Sequence, residues 1–306
     1  MTILLFLQNI KFYSSFHHPS VMRTKAPTHL VAFLLFCGSM GLLKAQFPSE
    51  KPSFPYTLSE PDFRYELPGE LNEVSGICSR EGGMLAMVQD ESGRIYLYNT
   101  QQHSLQSIHH FREHGDFEGI EYVGDTAFVL RSDGTLFEVS GQHGGSMQVT
   151  SYPTFLTKDN DAEGLGYDAD KGYLLIACKS SPSYEGQSYK GNRAVYAFDL
   201  GSRSLLPQPY LLINRDIIET KMEEQKFRPA GIAVHPISKD IYLVAASGQL
   251  LVVTDAHANI KWIKKLKKSI FRQPEGICFD PDGRMYICSE GGDKPGYVLE
   301  FVYKGE

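Results

Sequence analysis

Short runs of apolar, β-branched and aromatic residues alternate with polar turn sequences from about residue 62 to about residue 303. The turns contain Asp-Glu-Ser-Gly at residues 90–93, Ser-Asp-Gly at 132–134 and Asp-Pro-Asp-Gly at 280–283. Such residues accept left-handed or tight-turn backbone, and the short runs between them are typical of β-strands. The pattern therefore predicts an all-β fold.

The strand pattern repeats around a glycine that is followed by an aliphatic residue. The five glycines are Gly76, Gly119, Gly164, Gly231 and Gly276, and successive ones lie 43, 45, 67 and 45 positions apart. A period near 45 residues with four short strands matches one blade of a β-propeller. The repeats predict a five-bladed β-propeller over residues 62–306, with six blades as the alternative and residues 46–61 as a linker.

The ends of the repeat region indicate how the ring closes. The fifth repeat ends near Tyr303 without a fourth strand, whereas the strand-like segment Phe63–Leu67 precedes the first repeat with no partner of its own. We expect this N-terminal strand to complete the last blade, because closure leaves no long sheet edge open.

The first 45 residues differ from the rest and predict a secretory signal peptide. A short basic segment precedes an apolar run at residues 30–36, and Ala45 supplies a plausible cleavage site. The stretch before Met22 fits this signal poorly, so Met22 is the predicted start. Lipid attachment at Cys37 is the alternative, although the residue before it is bulkier than lipoprotein processing usually accepts. The protein is therefore expected in the periplasm or in association with an envelope membrane.

Charge and cysteine content narrow the class further. The chain has 30 basic and 36 acidic residues, and residues 1–45 hold four of the basic ones and no acid, which leaves 26 against 36 in the remainder. This acidic excess argues against nucleic-acid binding. The four remaining cysteines lie in apolar runs and are predicted to be small buried strand residues; they are Cys78, Cys178, Cys278 and Cys288.

Acidic residues recur where the innermost strands begin. Strand residues i and i+2 point the same way, so Asp116 and Glu118, and likewise Asp161 and Glu163, would direct paired carboxylates to one rim. Many hard oxygen ligands on one rim suit Ca²⁺. Ala230 breaks the pattern in the fourth repeat, so an ion is expected off the axis. The candidate metal ligands are Glu73, Asp116, Glu118, Asp161, Glu163 and Glu275.

The alternative interpretation is that these acids cap strand ends and bond to the neighbouring blade.

Two insertions into the repeat pattern lie on the same rim, and we expect them to form the walls of a ligand pocket. One spans residues 180–192, and the other spans residues 214–228 and contains a predicted helix over 215–224 with Asn214 as its cap. The candidate pocket residues are Asp90, Arg131, Lys179, Tyr184, Tyr189 and Glu290. Ordinary solvated loop residues are the alternative.

The lysine-rich run at residues 261–268 has two interpretations. Lysines commonly protect an outer edge strand, and the alternative is association with an anionic membrane surface. We find no motif that names a catalytic nucleophile.

The glycine motifs and the sequence Phe-Asp-Pro-Asp-Gly at residues 279–283 resemble those of the SdiA-regulated family of bacterial envelope propellers, which is related to NHL-repeat propellers. The resemblance covers about residues 62–303. It implies a five-bladed propeller with bound calcium, an envelope location and no settled activity. The matching motif acids are Glu73, Glu118, Glu163 and Glu275.

Together these features predict an exported, monomeric calcium-binding propeller that binds an unidentified small ligand or envelope protein at its acidic rim. One alternative is a metal-dependent hydrolase resembling phytase-like or lactonase-like propellers, in which the ion would activate water or polarise a substrate oxygen. The other is a structural docking propeller whose ion only stiffens the ring.

Overall fold

The computed structural model describes residues 53–141, 146–182, 186–223 and 225–305. In these ranges the chain forms five small antiparallel sheets arranged around an axis, and this confirms the predicted five-bladed β-propeller. The predicted signal peptide, the start at Met22, the lipidation residue Cys37 and the first part of the linker lie outside the described residues.

Each blade is a meander that runs outward from the axis. Strand β1 (Phe63–Glu66) precedes blade one, which contains β2 (Val74–Arg80), β3 (Met84–Gln89), β4 (Ser92–Asn99) and β5 (Ser104–His114). Blade two contains β6 (Phe117–Val123), β7 (Thr126–Arg131), β8 (Leu136–Ser140) and β9 (Gln148–Tyr152). Blade three contains β10 (Ala162–Asp168), β11 (Tyr173–Cys178), β12 (Asn192–Asp199), β13 (Ser204–Leu205) and β14 (Leu211–Asn214).

The helix α1 (Arg215–Lys221) leads to blade four, which contains β15 (Gly231–Val234), β16 (Ile241–Ala245), β17 (Leu250–Thr254) and β18 (Ile260–Lys265). Blade five contains β19 (Pro274–Phe279), β20 (Met285–Ser289) and β21 (Tyr297–Phe301).

Strand β1 closes the ring as the outermost strand of blade five. It pairs antiparallel with β21, with Tyr65 opposite Val298. The Tyr65 hydroxyl donates to Glu300 Oε2 at 2.6 Å, and Arg284 Nη1 lies 2.8 Å from the other oxygen of that carboxylate. The predicted closure by the N-terminal strand is therefore confirmed.

The hydrophobic core is divided into five clusters, one between each pair of neighbouring blades. Successive residues of an innermost strand pack against opposite neighbouring blades. Ile77 packs between blades five and one, whereas Cys78 packs between blades one and two. This follows from the two-residue period of a strand whose two faces are both covered. All four described cysteines are buried and free, which confirms their prediction as core residues.

The motif glycines occur where neighbouring innermost strands approach each other closely. A Cβ on Gly119 would lie 2.6 Å from the Cβ of Leu165 in blade three, and a Cβ on Gly231 would lie 2.5 Å from the Glu275 carbonyl oxygen in blade five. The cavity between the innermost strands of the five blades measures only about 10 Å³, so these strands pack closely around the axis.

The insertion between blades three and four contains the predicted helix. The Asn214 side chain accepts a bond of 2.9 Å from the Ile217 backbone, as expected for its cap, and Ile218 anchors the helix in the core. The helix ends at Lys221, before the predicted end at residue 224, which itself lies outside the described residues. Within the described ranges, no helix has the length and apolarity needed to cross a bilayer.

Candidate functional site

A β-bulge places a side chain at the mouth of the ring in four of the five innermost strands. Register shifts occur between Val74 and Gly76, Phe117 and Gly119, Ala162 and Gly164, and Pro274 and Ile277. The residue immediately before each motif glycine therefore lies in the irregularity, and bulges re-aim such side chains. Those residues are Ser75, Glu118, Glu163 and Glu275, with Ala230 at the equivalent point of blade four. We call the end of the ring where they lie the acidic mouth.

The carboxylates of blades two and three meet at the acidic mouth. Glu118 interacts with Asp116 through a side-chain hydrogen bond and lies within the electrostatic field of Glu163. Burial, followed by repulsion from Glu163 and Asp116, raises the pKa of Glu118 to about 10. Burial and the two neighbouring carboxyls therefore disfavour the charged form of Glu118.

Lys179 supplies a positive charge inside this cluster. Its Nζ lies 2.9 Å from Glu163 Oε1, and the Glu163 side chain is only 8% exposed. Burial raises the pKa of Glu163 to about 7, against the opposing effect of Lys179. Burial by itself would lower the pKa of Lys179, but Glu163, Glu275 and Asp161 outweigh it and raise that pKa.

Glu275, from blade five, lies in the same part of the acidic mouth as Glu163 and Lys179. Its side chain is buried, and burial raises its pKa to about 8, with Lys179 opposing and Glu290 and Glu163 reinforcing the shift. Glu118, Glu163 and Glu275 therefore all lie within the electrostatic field of one ammonium group.

A second acidic group extends from blade five to blade two. Burial, then repulsion from Glu73, raises the pKa of Asp90, and burial, then repulsion from Asp90 and Glu73, raises the pKa of Glu290. Oδ1 of Asp90 is buried without a hydrogen-bond partner within the described part of the chain. Glu73 and Asp116 are exposed at the edge of this group.

Arg131 does not take part in the acidic mouth. Its guanidinium binds Asp133 through Nε and Nη2, at 3.0 and 2.7 Å, and Nη2 also contacts Thr135. The residue that occupies the mouth in blade two is the buried Ser132, whose hydroxyl donates to Asp116 Oδ2 at 2.5 Å.

Backbone hydrogen bonds show that Ser132 in blade two corresponds to Asp90 in blade one. The Ala162 N–H donates to the Ser132 carbonyl in the same way as the Phe117 N–H donates to the Asp90 carbonyl. If the alignment of the second-strand ends is shifted by one residue in blade two, the sequence identifies Ser132 as the residue at the mouth.

Of the two tyrosines in the first insertion, only Tyr189 lies in the described part of the chain, where its side-chain hydrogen bond points away from the mouth. Tyr189 bonds through its hydroxyl to Gln208 Oε1 at 3.1 Å, beside the outer strands of blade three. Tyr184 lies outside the described residues.

Two other residues of the insertions do reach the mouth, and sequence reasoning missed both roles. The Ser180 hydroxyl donates to Asp161 Oδ2 at 2.9 Å and accepts from Arg228 Nη2 at 2.8 Å. Arg228 occupies the position in blade four that holds Asp116 in blade two and Asp161 in blade three. The basic residue at an otherwise acidic repeat position was the available signal.

The mouth contains many carboxylate oxygens, but in the described part of the chain they do not form a complete coordination sphere for a metal ion. Among the described residues, no group of three or more His, Cys, Asp or Glu side chains is arranged to hold a metal ion. The arrangement can attract cations and hold protons at buried carboxyls. A hard ion would require the exposed Glu73 and Asp116 to rotate toward Asp90.

Comparisons with known proteins agree with this fold. The glutaminyl cyclase of Myxococcus xanthus is similar over 81% of this chain and 97% of its own, with a TM-score of 0.54 and 13% identity. A glucose dehydrogenase is similar over 78% of this chain and 98% of its own, with a TM-score of 0.50 and 11% identity. At such identities the likeness shows the fold alone. No protein with curated annotation matches the sequence.

The sequence motifs themselves identify the family. The family model named SdiA-regulated matches residues 57–293, a range that includes all five motif glycines and every acidic residue of the mouth. The chain belongs to the SdiA-regulated family.

Proposed function

We propose that the protein is an exported propeller that binds Ca²⁺ at its acidic mouth and receives there a small ligand or an envelope protein. The observation that carries this proposal is Oδ1 of Asp90, which is buried and has no hydrogen-bond partner within the described part of the chain, in the electrostatic field of Glu73 and Glu290. A buried acceptor without a donor is costly, and a bound cation would remove that cost.

The donor chemistry suits calcium better than a transition metal. The acids around Asp90 offer carboxylate oxygens, which are hard ligands, and Ca²⁺ tolerates irregular geometry with six to eight of them. The exposed side chains of Glu73 and Asp116 can turn toward Asp90 without opening the core. Because the site must rearrange, we expect a dissociation constant on the order of 10⁻⁴ M, as in extracellular calcium modules.

Calorimetric titration of chelator-treated protein covering residues 46–306 tests the proposal. Ca²⁺ should bind with one-to-one stoichiometry, and Mg²⁺ should bind more weakly. The variant Asp90→Asn should abolish the heat of binding, whereas Asp170→Asn, at an exposed turn on the opposite end of blade three, should leave it unchanged. Equal binding by both variants would place the ion elsewhere.

An activity screen separates the proposal from its two alternatives. Turnover of a phosphoester or lactone that is lost in Glu118→Gln would make the protein a metal-dependent hydrolase. Absence of both metal binding and turnover would favour a docking propeller.

The proposed export rests on the basic and apolar segments before residue 46. Fractionation of cells that express the full gene should place the protein in the periplasm or envelope, and a gene without the first 45 codons should leave it in the cytoplasm. The intact mass of the mature protein distinguishes simple cleavage from lipid attachment at Cys37. Light scattering should show a monomer.

A further inference from the structure

A cavity of about 430 Å³ lies between blades four and five, at the same end of the ring as the acidic mouth. Ala246 and Gly291, which line it, follow the second strands of these two blades, and second-strand ends form the mouth elsewhere in the ring. Its volume is in the range of small-molecule sites in proteins.

The walls of this cavity are basic, in contrast to the mouth. Lys268, Arg272 and Lys294 line it, with Asp293 as the single acidic residue. None of these three cations forms a salt bridge within the described part of the chain. Cations without a salt bridge that line one concave surface favour an anion, and arginine in particular suits planar or tetrahedral oxyanions.

The cavity is held in shape by contacts with blade one. The Gly291 N–H donates to the Asn72 carbonyl at 2.9 Å, and the Asn72 side chain donates to the Gly292 carbonyl at 3.0 Å. A Cβ at Gly291 would lie 2.2 Å from Asn72 Oδ1, so only glycine fits there. Arg272 is fixed by a hydrogen bond from Nη1 to the Gly291 carbonyl. A wall already ordered in this way reduces the entropy cost of binding.

One side chain connects the basic cavity to the acidic mouth. Gln273 lines the cavity, and its Nε2 donates to Glu290 Oε2 at 2.5 Å. A small ligand with a negative group in the cavity would therefore have its other end beside the Glu290 carboxylate, where a positive group is favoured.

We propose that the cavity binds the oxyanion of a small zwitterion, a phosphate or a carboxylate, whose amine reaches the acidic mouth. The proposal deepens the ligand-binding half of the proposed function, and because Glu290 would attract both the amine and Ca²⁺, the two are expected to compete there. The acidic mouth repels polyanions, which limits the ligand to one or a few negative charges.

Titration in the presence of a chelator tests this proposal independently of Ca²⁺. The probes are inorganic phosphate, ethanolamine and O-phosphoethanolamine, which joins their two charged groups. O-Phosphoethanolamine should bind about tenfold more tightly than phosphate, which corresponds to about 1.4 kcal/mol for the amine. Glu290→Gln should remove this advantage, so that O-phosphoethanolamine and phosphate bind the variant about equally. If O-phosphoethanolamine fails to bind, the proposal is wrong, whatever the outcome of the calcium titration.

Variants of the residues that line the cavity test whether phosphate binds there. Arg272→Gln should weaken phosphate binding by about tenfold or more. Because Arg272 also bonds to Gly291, Lys268→Gln and Lys294→Gln, at exposed positions, provide a second measure and should each weaken binding severalfold. Lys171→Gln, an exposed lysine at the opposite end of blade three, is the control.

Equal binding by all four variants would overturn the assignment. Binding to vesicles of phosphatidylethanolamine and phosphatidylcholine, without binding to the soluble probe, would instead make a lipid headgroup the ligand and would overturn the small-ligand proposal.

Discussion

Lys179 lies 2.9 Å from Glu163 at the acidic mouth, with its Nζ donating to Oε1, so the chain places its own cation among the carboxylates of blade three. Glu163 is buried and Lys179 is partly exposed. The ammonium also acts on Glu275, from blade five. Among the described residues, no salt bridge joins a cation to Asp90 or Glu73, and Lys179 acts on the neighbouring Glu290 without a hydrogen bond. The mouth is therefore divided into a compensated side and an uncompensated side.

Replacing Lys179 with methionine should destabilise the protein by about 2 kcal/mol at pH 8, because buried Glu163 would lose the charge that balances it. Urea unfolding in the presence of a chelator measures this change. The double variant with Glu163→Gln should recover much of the loss, since the unbalanced charge is then removed as well.

Lys171→Met is the matched control for this experiment, because Lys171 is exposed at the opposite end of the same blade. Millimolar Ca²⁺ should stabilise Lys179→Met more than it stabilises the unaltered protein. If Lys179→Met and Lys171→Met unfold at the same urea concentration, the ion pair has no structural importance.

The sequence was sufficient to predict the ring because its repeats reflect packing constraints that act locally. Each motif glycine is required by contact with the next blade, and its spacing therefore records the blade count. The closing strand could be predicted as well, since Phe63–Glu66 and the incomplete last repeat are complementary.

The details of the mouth could not be predicted in the same way, because they depend on bulges and on side-chain direction. Arg131 and Ser132 are neighbours in sequence, yet the arginine turns to Asp133 and the serine faces Asp116. Lys179 is a predicted ligand-contact residue, and the structure adds a hydrogen bond to Glu163 that the repeat pattern does not predict. Neither outcome follows from repeat spacing, which fixes the backbone position and leaves the side-chain partner open.

Gly119→Ala should destabilise the ring by about 2 kcal/mol or more, because its Cβ would lie 2.6 Å from the Cβ of Leu165. Neither the β-carbon of Leu165 nor the strand that carries it can move without disturbing blade three. Thermal unfolding measures the effect. Gly69→Ala is the control, since nothing lies within 4 Å of a Cβ at that position. Equal melting temperatures for the two variants would show that the inner strands can separate at little cost.

Removal of the closing strand should weaken the whole ring. A chain that begins at residue 59 keeps β1, whereas a chain that begins at residue 68 loses it together with the buried side chains of Tyr65 and Leu67. We expect the shorter chain to be less stable by about 3 kcal/mol or more and to aggregate through the exposed edge of β21. Denaturant unfolding and light scattering compare the two chains, and similar stability would argue against closure by this strand.

His235 should make the protein less stable in mild acid. The imidazole is fully buried against Tyr56 and Tyr242, and Nδ1 accepts bonds from the backbone N–H groups of Ile237 and Ser238. Burial lowers its pKa from 6.5 to about 4, against the opposing effect of Asp240.

Because the folded pKa of His235 is the lower one, the unfolded chain binds the proton first as the pH falls. The stabilisation by neutral His235 is complete above pH 6.5 and is lost progressively down to about pH 4, by about 3 kcal/mol in total. Urea midpoints at pH 7 and pH 4.5 measure this loss. His235→Asn, which keeps an acceptor near Nδ1, should show a smaller difference between the two pH values, and His257→Asn, at an exposed position, should behave as the unaltered protein does. An undiminished acid loss in His235→Asn would assign the pH dependence to other groups.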